Sequence, residues 1–434
     1  MRHVIVGSGA AGLAAAEAIR ARDGVAEIVM VGREPHAFYS RPGLAYLLAG
    51  TVPDKQVFIR GRDEIAALRL DRRTDDARQL DLARRELHLA GGAVVPWDRL
   101  LLATGAAAIP PSFPGAELDG VVKLDDLDDV RNLIARAGGA KRAVVIGGGP
   151  TAIELAEGLR ARGVEVHYLL RGARFWAHVL DPVESQQVED ALVAHGIALH
   201  HQTQVARVVG HRGKVAWVET TAGDTIKCDL VAVAIGVAPR LELARQAGLS
   251  IGRGVRVDHR FQTSAEHVYA AGDVAEVRDP DTGEGVVDSL WSTALAHGAI
   301  AGTAMTGAPA GYRRPPSLNV TRLGAITITI IGAVGQPDAD DDLVTIARGD
   351  SLSWRARPTA WTLTGDDPAR RVRVVVGPRH LVGALVMNDP AAARALTRLV
   401  RHRVDLSALR AALDADPPGA LARLIELGAA AGAP

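Results

Sequence analysis

Two short stretches limit the fold of this chain more than any other feature. The first is HVIVGSGAAGLAAAEAIRA. A β-branched run, Val4 to Val6, enters Gly7-Ser8-Gly9-Ala10-Ala11-Gly12, and an alanine-rich helical pattern follows. The second is RAVVIGGGPTAIELAEGLRARG. Val144 to Ile146 lead into Gly147 and Gly149, Pro150 and Thr151 come next, and Ala152 takes the third motif position. A G-x-G-x-x-G/A pattern means little alone, but between a strand and a helix it has a physical purpose. The first glycine permits the tight turn, and the second lets a pyrophosphate approach the backbone. The third lets the helix pack close to the strand. The unpaired N–H groups at the helix start then face the phosphates. Two such units predict an α/β fold with two Rossmann-type dinucleotide-binding domains.

Composition removes several alternatives. Formal net charge is zero over 434 residues. Nothing global favours nucleic acid or an anionic membrane as partner. No apolar run reaches the ~18 residues of a spanning helix. The start, MRHVIVG, runs straight into a glycine turn and lacks the shape of a signal peptide, so a cytoplasmic location is expected. The one cysteine, Cys228 in IKCDLVAVAIG, excludes an internal disulfide or a CxxC pair. Its apolar setting suggests a packed, inert thiol. The histidines are scattered without ligand spacing, so no metal site is expected.

Further segments fit a nucleotide-binding chain. PWDRLLLATGAAAIP predicts a buried strand ending in Ala103-Thr104-Gly105. AEHVYAAGDVAE predicts a strand ending in Gly272-Asp273. An aspartate at a strand end just before a helix suits a ligand hydroxyl, or simply a turn or cap. The strand after the first turn, EIVMVGRE, ends with Glu34. The strand after the second turn reads VEVHYLLRGARFW. An acid usually stands there to hold the ribose 2′-hydroxyl of NAD. This chain has Leu170 and Arg171, with Arg174 close behind. Arg171 lies 19 residues after Ala152 (171 − 152), the expected offset for a ribose contact. A 2′-phosphate would gain a charge-assisted hydrogen bond from it, and a second from Arg174. NADPH is therefore expected over NADH, against the alternative of two exposed loop arginines.

In their order, GSGAAG, PWDRLLLATG, VVIGGGPTAIELAE, AIGVAPR and YAAGDVAE resemble the FAD- and NAD(P)-dependent pyridine nucleotide oxidoreductases over roughly residues 1–335. FYSRPGLAYLLAG, residues 38–50, is similar to the nitrite-, rubredoxin- and ferredoxin-reductase branch. The resemblance implies FAD in the first unit, with Gly7, Gly9, Ala10, Ala11 and Gly12 around its pyrophosphate. It implies Arg33 and Glu34 beside the adenosine ribose, Arg41 along the cofactor and Ala77 near adenine. Ala103, Thr104 and Gly105 match the ATG turn, and Gly272 and Asp273 the ribityl site. Trp291 opens a helix aimed at the flavin. In the second unit Gly147, Gly149, Pro150, Thr151 and Gly236 approach the pyridine nucleotide, and Glu154 reaches toward the nicotinamide. Glu154 also reads as an ordinary helix-surface or helix-pairing glutamate.

Two departures stand out, the second from the family's peroxidase and water-forming oxidase members and the first from that branch. Where it has a lysine a few residues after Arg-Pro, this chain has Tyr46, which leaves open whether Tyr46 or Lys55 meets the flavin. Ser40-Arg41-Pro42 offers no redox cysteine. Electrons must then leave the reduced flavin directly.

The resemblance also implies an interleaved order. An FAD-binding domain is built from residues 1–112 and 239–312, an NAD(P)-binding domain from 113–238, and a small α+β C-terminal domain from 313–434. The last opens at YRRPPS, a boundary-like stretch. LGAITITIIGAVG, WTLTG and VRVVVGPRHLVGALVM read as its strands. DDLDDVRNLIARAGGAKR reads as an acidic-capped helix, and the tail from Asp389 as one or two helices; the resemblance implies that this small domain covers the flavin and often forms a homodimer. Arg394, Arg398, Arg401 and Arg403 read as a solvated helix face, or as a docking face for an acidic carrier.

The implied chemistry is hydride transfer from NAD(P)H to flavin N5, then electron transfer to a ferredoxin or rubredoxin. Alternatives are an NAD(P)H oxidase or a quinone or nitro reductase. From another class comes a slow-turnover redox sensor or interaction protein.

Overall fold

The computed structural model describes residues 1–280, 282–335, 361–364, 370–409 and 415–431. Its framework is two parallel sheets of matching design. In the first, Arg2–Val6 lies between Glu27–Gly32 and Arg99–Leu102, with Leu70–Thr74 and Val268–Ala270 at the edges. Every pairing in it is parallel. In the second, Arg142–Ile146 lies between Glu165–Leu169 and Leu230–Val233, with Ile197–His200 and Val121–Val122 outside. Its pairings are also all parallel. The near-continuous burial of Val4, Ile5, Val144 and Val145 is what a central strand covered on both faces requires. The strand Val268–Ala270 joins the first sheet from far along the chain, so residues on both sides of the second sheet's segment build one layer.

Each glycine turn feeds a helix. Ala10–Arg22 follows the first and Pro150–Ala161 the second. Gly7 has φ +122°, and a Cβ there would sit 2.1 Å from the Ala103 carbonyl oxygen. Gly147 repeats the arrangement with φ +153° and 2.3 Å to the Ala234 oxygen. A Cβ on Gly12 would meet the Gly7 oxygen at 2.0 Å, so only glycine permits that helix to seat. Ala152 is fully buried at the equivalent place. The acidic-capped helix is present as Leu127–Ala137, with Asp126 accepting from the Asp129 N–H.

The C-terminal region is a five-stranded antiparallel sheet in the order Leu318–Leu323, Ile326–Gly332, Leu381–Met387, Val372–Val376, Trp361–Thr364. Helices Pro390–His402 and Pro417–Ala430 cover one face. The other face packs on Trp176, Val179 and Leu180 of the second unit. The YRRPPS stretch is not a loose boundary. Arg314 within it is buried against Asp288 and Asp279, at 2.7 and 3.1 Å. Nor is the arginine-rich helix a uniform charged face, because Arg398 donates to the Gly428 and Ala429 carbonyls and so caps the neighbouring helix. Part of the tail's expected second helix, residues 410–414, lies outside the described residues, as does Gly365 of WTLTG.

Candidate functional site

A cavity of about 1030 Å³ opens where the two units meet. That is near the upper end for a small-molecule or cofactor site. The first glycine turn forms its floor through Gly7, Gly9, Ala10 and Ala11. Gly9 begins the helix in extended backbone, φ −82°, without a side-chain cap, so the helix start faces the cavity undressed. A Cβ on Gly9 would meet no protein atom within 4 Å. The space it would fill is the cradle a pyrophosphate needs, so these residues fit FAD. A second helix start, Trp291 of Trp291–Met305, also opens into the cavity, with no side-chain cap at Leu290. Its indole lies against Phe38, ring centroids 5.8 Å apart.

The walls gather most of the expected residues. Arg33, Glu34, Arg41, Ala77, Ala103, Thr104, Gly105, Gly272, Asp273, Pro150, Thr151 and Glu154 all line the cavity. Glu34 is also a structural hub: Arg41 donates to one carboxylate oxygen and Tyr39 to the other. Burial works against the Arg41 charge, but its surroundings, the Glu34 and Asp125 carboxylates among them, outweigh it and hold the guanidinium above its usual value. Burial, chiefly, raises the Tyr39 hydroxyl, so it stays a proton donor to Glu34. Asp273 does not precede a helix, as its sequence context suggested. It sits in a 3₁₀ turn, Gly272–Val274, followed by a strand. Gly272 supplies the φ of +79° that the turn needs, and Ser289 donates to the Asp273 carboxylate at 3.0 Å.

Gly149, Thr151 and Gly236 line a smaller hollow beside the second turn. Thr151 belongs to both spaces. Gly12 and Gly147 lie outside both, holding helix or strand close as described above. Arg171 and Arg174 line neither cavity. Leu170 turns into the core at 1% exposure, while Arg171 is exposed at the strand end beside the second turn. Arg174 is engaged elsewhere, donating to the carbonyls of Ala177 and Leu180 at 3.2 and 3.1 Å. Tyr46 lines the cavity and is 45% exposed, whereas Lys55 does not line it.

Sequence reading missed several wall residues. Arg240 donates to the carbonyls of Thr104 and Ala106 and to the Asp125 carboxylate. It stands in the AIGVAPR segment, where its link to the ATG turn could have been suspected. Asp125 was read only as part of the acidic start of a helix, and Lys123 before it carried no motif. Asn319, Val320 and Thr321 come from the C-terminal sheet, and nothing local in their sequence announces a cavity. Among the described residues, no group of His, Cys, Asp and Glu is placed to hold a metal, and no helix is long and apolar enough to cross a membrane.

This fold and site define a two-dinucleotide oxidoreductase of the flavoprotein kind. A family model described as pyridine nucleotide-disulphide oxidoreductase matches residues 1–298. The chain belongs to that family, in its ferredoxin- and rubredoxin-reductase-like branch, and is an FAD-dependent NAD(P)H oxidoreductase. It is 32% identical over 408 residues to the biphenyl dioxygenase system ferredoxin–NAD(+) reductase component of Paraburkholderia xenovorans, covering 93% of this chain and 94% of that one. It is 31% identical over 323 residues to the rubredoxin–NAD(+) reductase of Ectopseudomonas oleovorans, covering 73% and 83%. A ferredoxin reductase structure from Rhodopseudomonas palustris superposes with a TM-score of 0.83 at 25% identity, covering 97% of this chain and 99% of that one.

Proposed function

We propose that the protein takes electrons from NADPH in preference to NADH and passes them, without a thiol relay, to a small carrier of the ferredoxin or rubredoxin kind. In this reading FAD lies along Gly7, Gly9, Ala10 and Ala11, with Arg33, Glu34 and Ala77 toward its adenosine end. Thr104, Gly105, Asp273 and Trp291 stand toward the flavin. FAD, when bound, supplies a two-electron acceptor that can release electrons singly. Residues 1–112 and 239–312 form the FAD unit, 113–238 the NAD(P) unit and 313–434 the cover. Glu154 and Thr151, on the helix of the second turn, border the large cavity and would orient the nicotinamide there. The protein's contribution is position and electrostatics rather than an acid or base.

The observation that carries the nucleotide preference is the pair Leu170 and Arg171. The side chain at the usual acid's place is apolar and buried, and the next residue offers an exposed guanidinium. A 2′-phosphate there meets an attractive charge rather than a repulsive one. This would set the chain apart from relatives whose names carry NAD(+). Direct delivery is supported by Cys228, the one cysteine. It is buried outside the cavity, and burial, with Asp229 adding, pushes its thiol up to about 12. The names of the relatives support an iron-containing carrier as acceptor.

Arg171→Glu tests the preference. It should raise the KM for NADPH at least tenfold, about 1.4 kcal/mol, with little change for NADH. An equal rise for both nucleotides would show that Arg171 does not read the 2′-phosphate.

A further inference from the structure

The loop after the strand Glu165–Leu169 is exposed at its tip and buried at its base. Arg171, Gly172 and Ala173 face solvent, while Phe175, Trp176, Val179 and Leu180 are 1% exposed or less. Within the base, Arg174 bonds the Ala177 and Leu180 carbonyls. The Phe175 N–H donates to Glu189 at 2.7 Å, and its carbonyl accepts from Ser185 at 2.8 Å. Behind the tip, Gln202 donates to the Gly172 carbonyl.

The base is closed from outside the second unit. Arg373, on the C-terminal strand Val372–Val376, donates to both carboxylate oxygens of Glu184 at 2.8 and 2.9 Å. The same guanidinium donates to the Val179 and Val334 carbonyls, each at 2.7 Å. Arg371 pairs with Asp181. Asp181 and Glu184 together form the capping box that starts the helix Pro182–Ala194. Arg373 and Glu184 are both essentially fully buried.

A buried ion pair is a poor source of net stability, since apolar packing of the same volume often does as well. What the pair supplies is direction. A planar fork bonded at four points fixes the Val179 carbonyl relative to the helix start and to the C-terminal sheet. Val179 lies between Ala177 and Leu180, whose carbonyls hold Arg174. A shift at Val179 is therefore passed through Arg174 toward the tip that carries Arg171.

We infer that Arg373 is a positioning residue for nucleotide selection: from the C-terminal sheet it holds the base of the loop that presents Arg171 to the 2′-phosphate. This rests on the 2′-phosphate reading of Arg171 given above. The C-terminal region thus helps choose the electron donor as well as covering the cavity.

Steady-state kinetics of the holoenzyme with ferricyanide as acceptor test it, using NADPH and NADH in parallel. Arg373→Met should raise the KM for NADPH at least fivefold more than that for NADH, with kcat on NADH within twofold of the parent. Arg373→Lys keeps the charge but not the fork, and should fall between. If the methionine variant does not fold, the lysine variant carries the same comparison. In an Arg171→Gln background, Arg373→Met should add nothing to the KM for NADPH. Equal rises for both nucleotides, or effects that add across the two sites, would overturn the inference. Failure of the underlying reading shows separately, as an Arg171→Gln protein with the parent's KM for NADPH.

Discussion

The placement of FAD on the first glycine turn can be tested by two alanines two residues apart. At Gly7 a Cβ would lie 2.1 Å from the Ala103 carbonyl oxygen and 2.6 Å from its carbon, with φ at +122°. Neither neighbour is a flexible side chain that could move aside. Backbone strain alone costs about 1–3 kcal/mol at such a residue, and separating the turn from the next strand adds to it. At Gly9 the backbone is already extended, and the added carbon meets no protein atom within 4 Å. Gly9→Ala should therefore leave the stability of the apoprotein within about 1 kcal/mol of the parent. The same carbon fills the cradle over the first N–H groups of Ala10–Arg22. Losing one charge-assisted hydrogen bond to the pyrophosphate costs about 1.5–3 kcal/mol. FAD binding should then weaken by roughly 10- to 150-fold. Urea unfolding of the apoproteins reads the first quantity, and quenching of flavin fluorescence on titration reads the second. The expected pattern is a destabilised Gly7→Ala protein and a stable Gly9→Ala protein that holds FAD poorly. A Gly9→Ala protein with the parent's FAD affinity would refute the placement.

Two further outcomes follow from buried titratable groups. His297 packs between Phe261 and Tyr312, and neither ring nitrogen meets a hydrogen-bond partner among the described residues. Burial, with Arg314 adding, lowers it from 6.5 to about 3. Its contribution is fully present above pH 6.5 and is lost as pH falls toward 3, because only the unfolded chain takes the proton in that window. Stability should fall by about 1.4 kcal/mol per pH unit on its account, and His297→Phe should flatten urea-derived stability between pH 6.5 and 5 by that slope. The Cys228 thiol, raised to about 12 mainly by burial, should resist a chromogenic disulfide reagent at pH 8 in the native protein and react fully in urea. Rapid native labelling would contradict its buried setting.

The parts of this fold legible in sequence were those set by local rules. Each glycine turn sits inside its own strand and helix, so the motif, the turn and the N-terminus were readable together. The ATG turn lies in an ordered set of segments, whereas Trp291 falls outside that set and was readable only as what the resemblance implies. The Leu170–Arg171 step was readable only as an offset from Ala152; that Leu170 is buried like Tyr168 and Leu169 before it, while Arg171 is exposed, is set by the fold and not by strand alternation. Pairings between distant residues were not. Arg373 and Glu184 are 189 residues apart, and Arg240 and Asp125 are 115 apart. No periodicity announces either, since each partner looks like any surface charge until the fold buries it. YRRPPS shows the same limit, because proline-rich composition signals a boundary but says nothing of Arg314 and its two carboxylates. Arg174 looked like a second phosphate contact by sequence proximity, yet its guanidinium is turned back into its own loop.

The central claim is an NADPH-driven reductase whose flavin gives up its electrons directly. Anaerobic rapid mixing of the FAD-loaded protein with NADPH or NADH, followed at the flavin absorption band, tests it most directly. Bleaching is expected on the order of a second or less, faster at low NADPH than at equal NADH, with recovery of the band when oxidised ferredoxin or rubredoxin is added. Bleaching that takes minutes, or a long-lived charge-transfer band that neither carrier discharges, would contradict it.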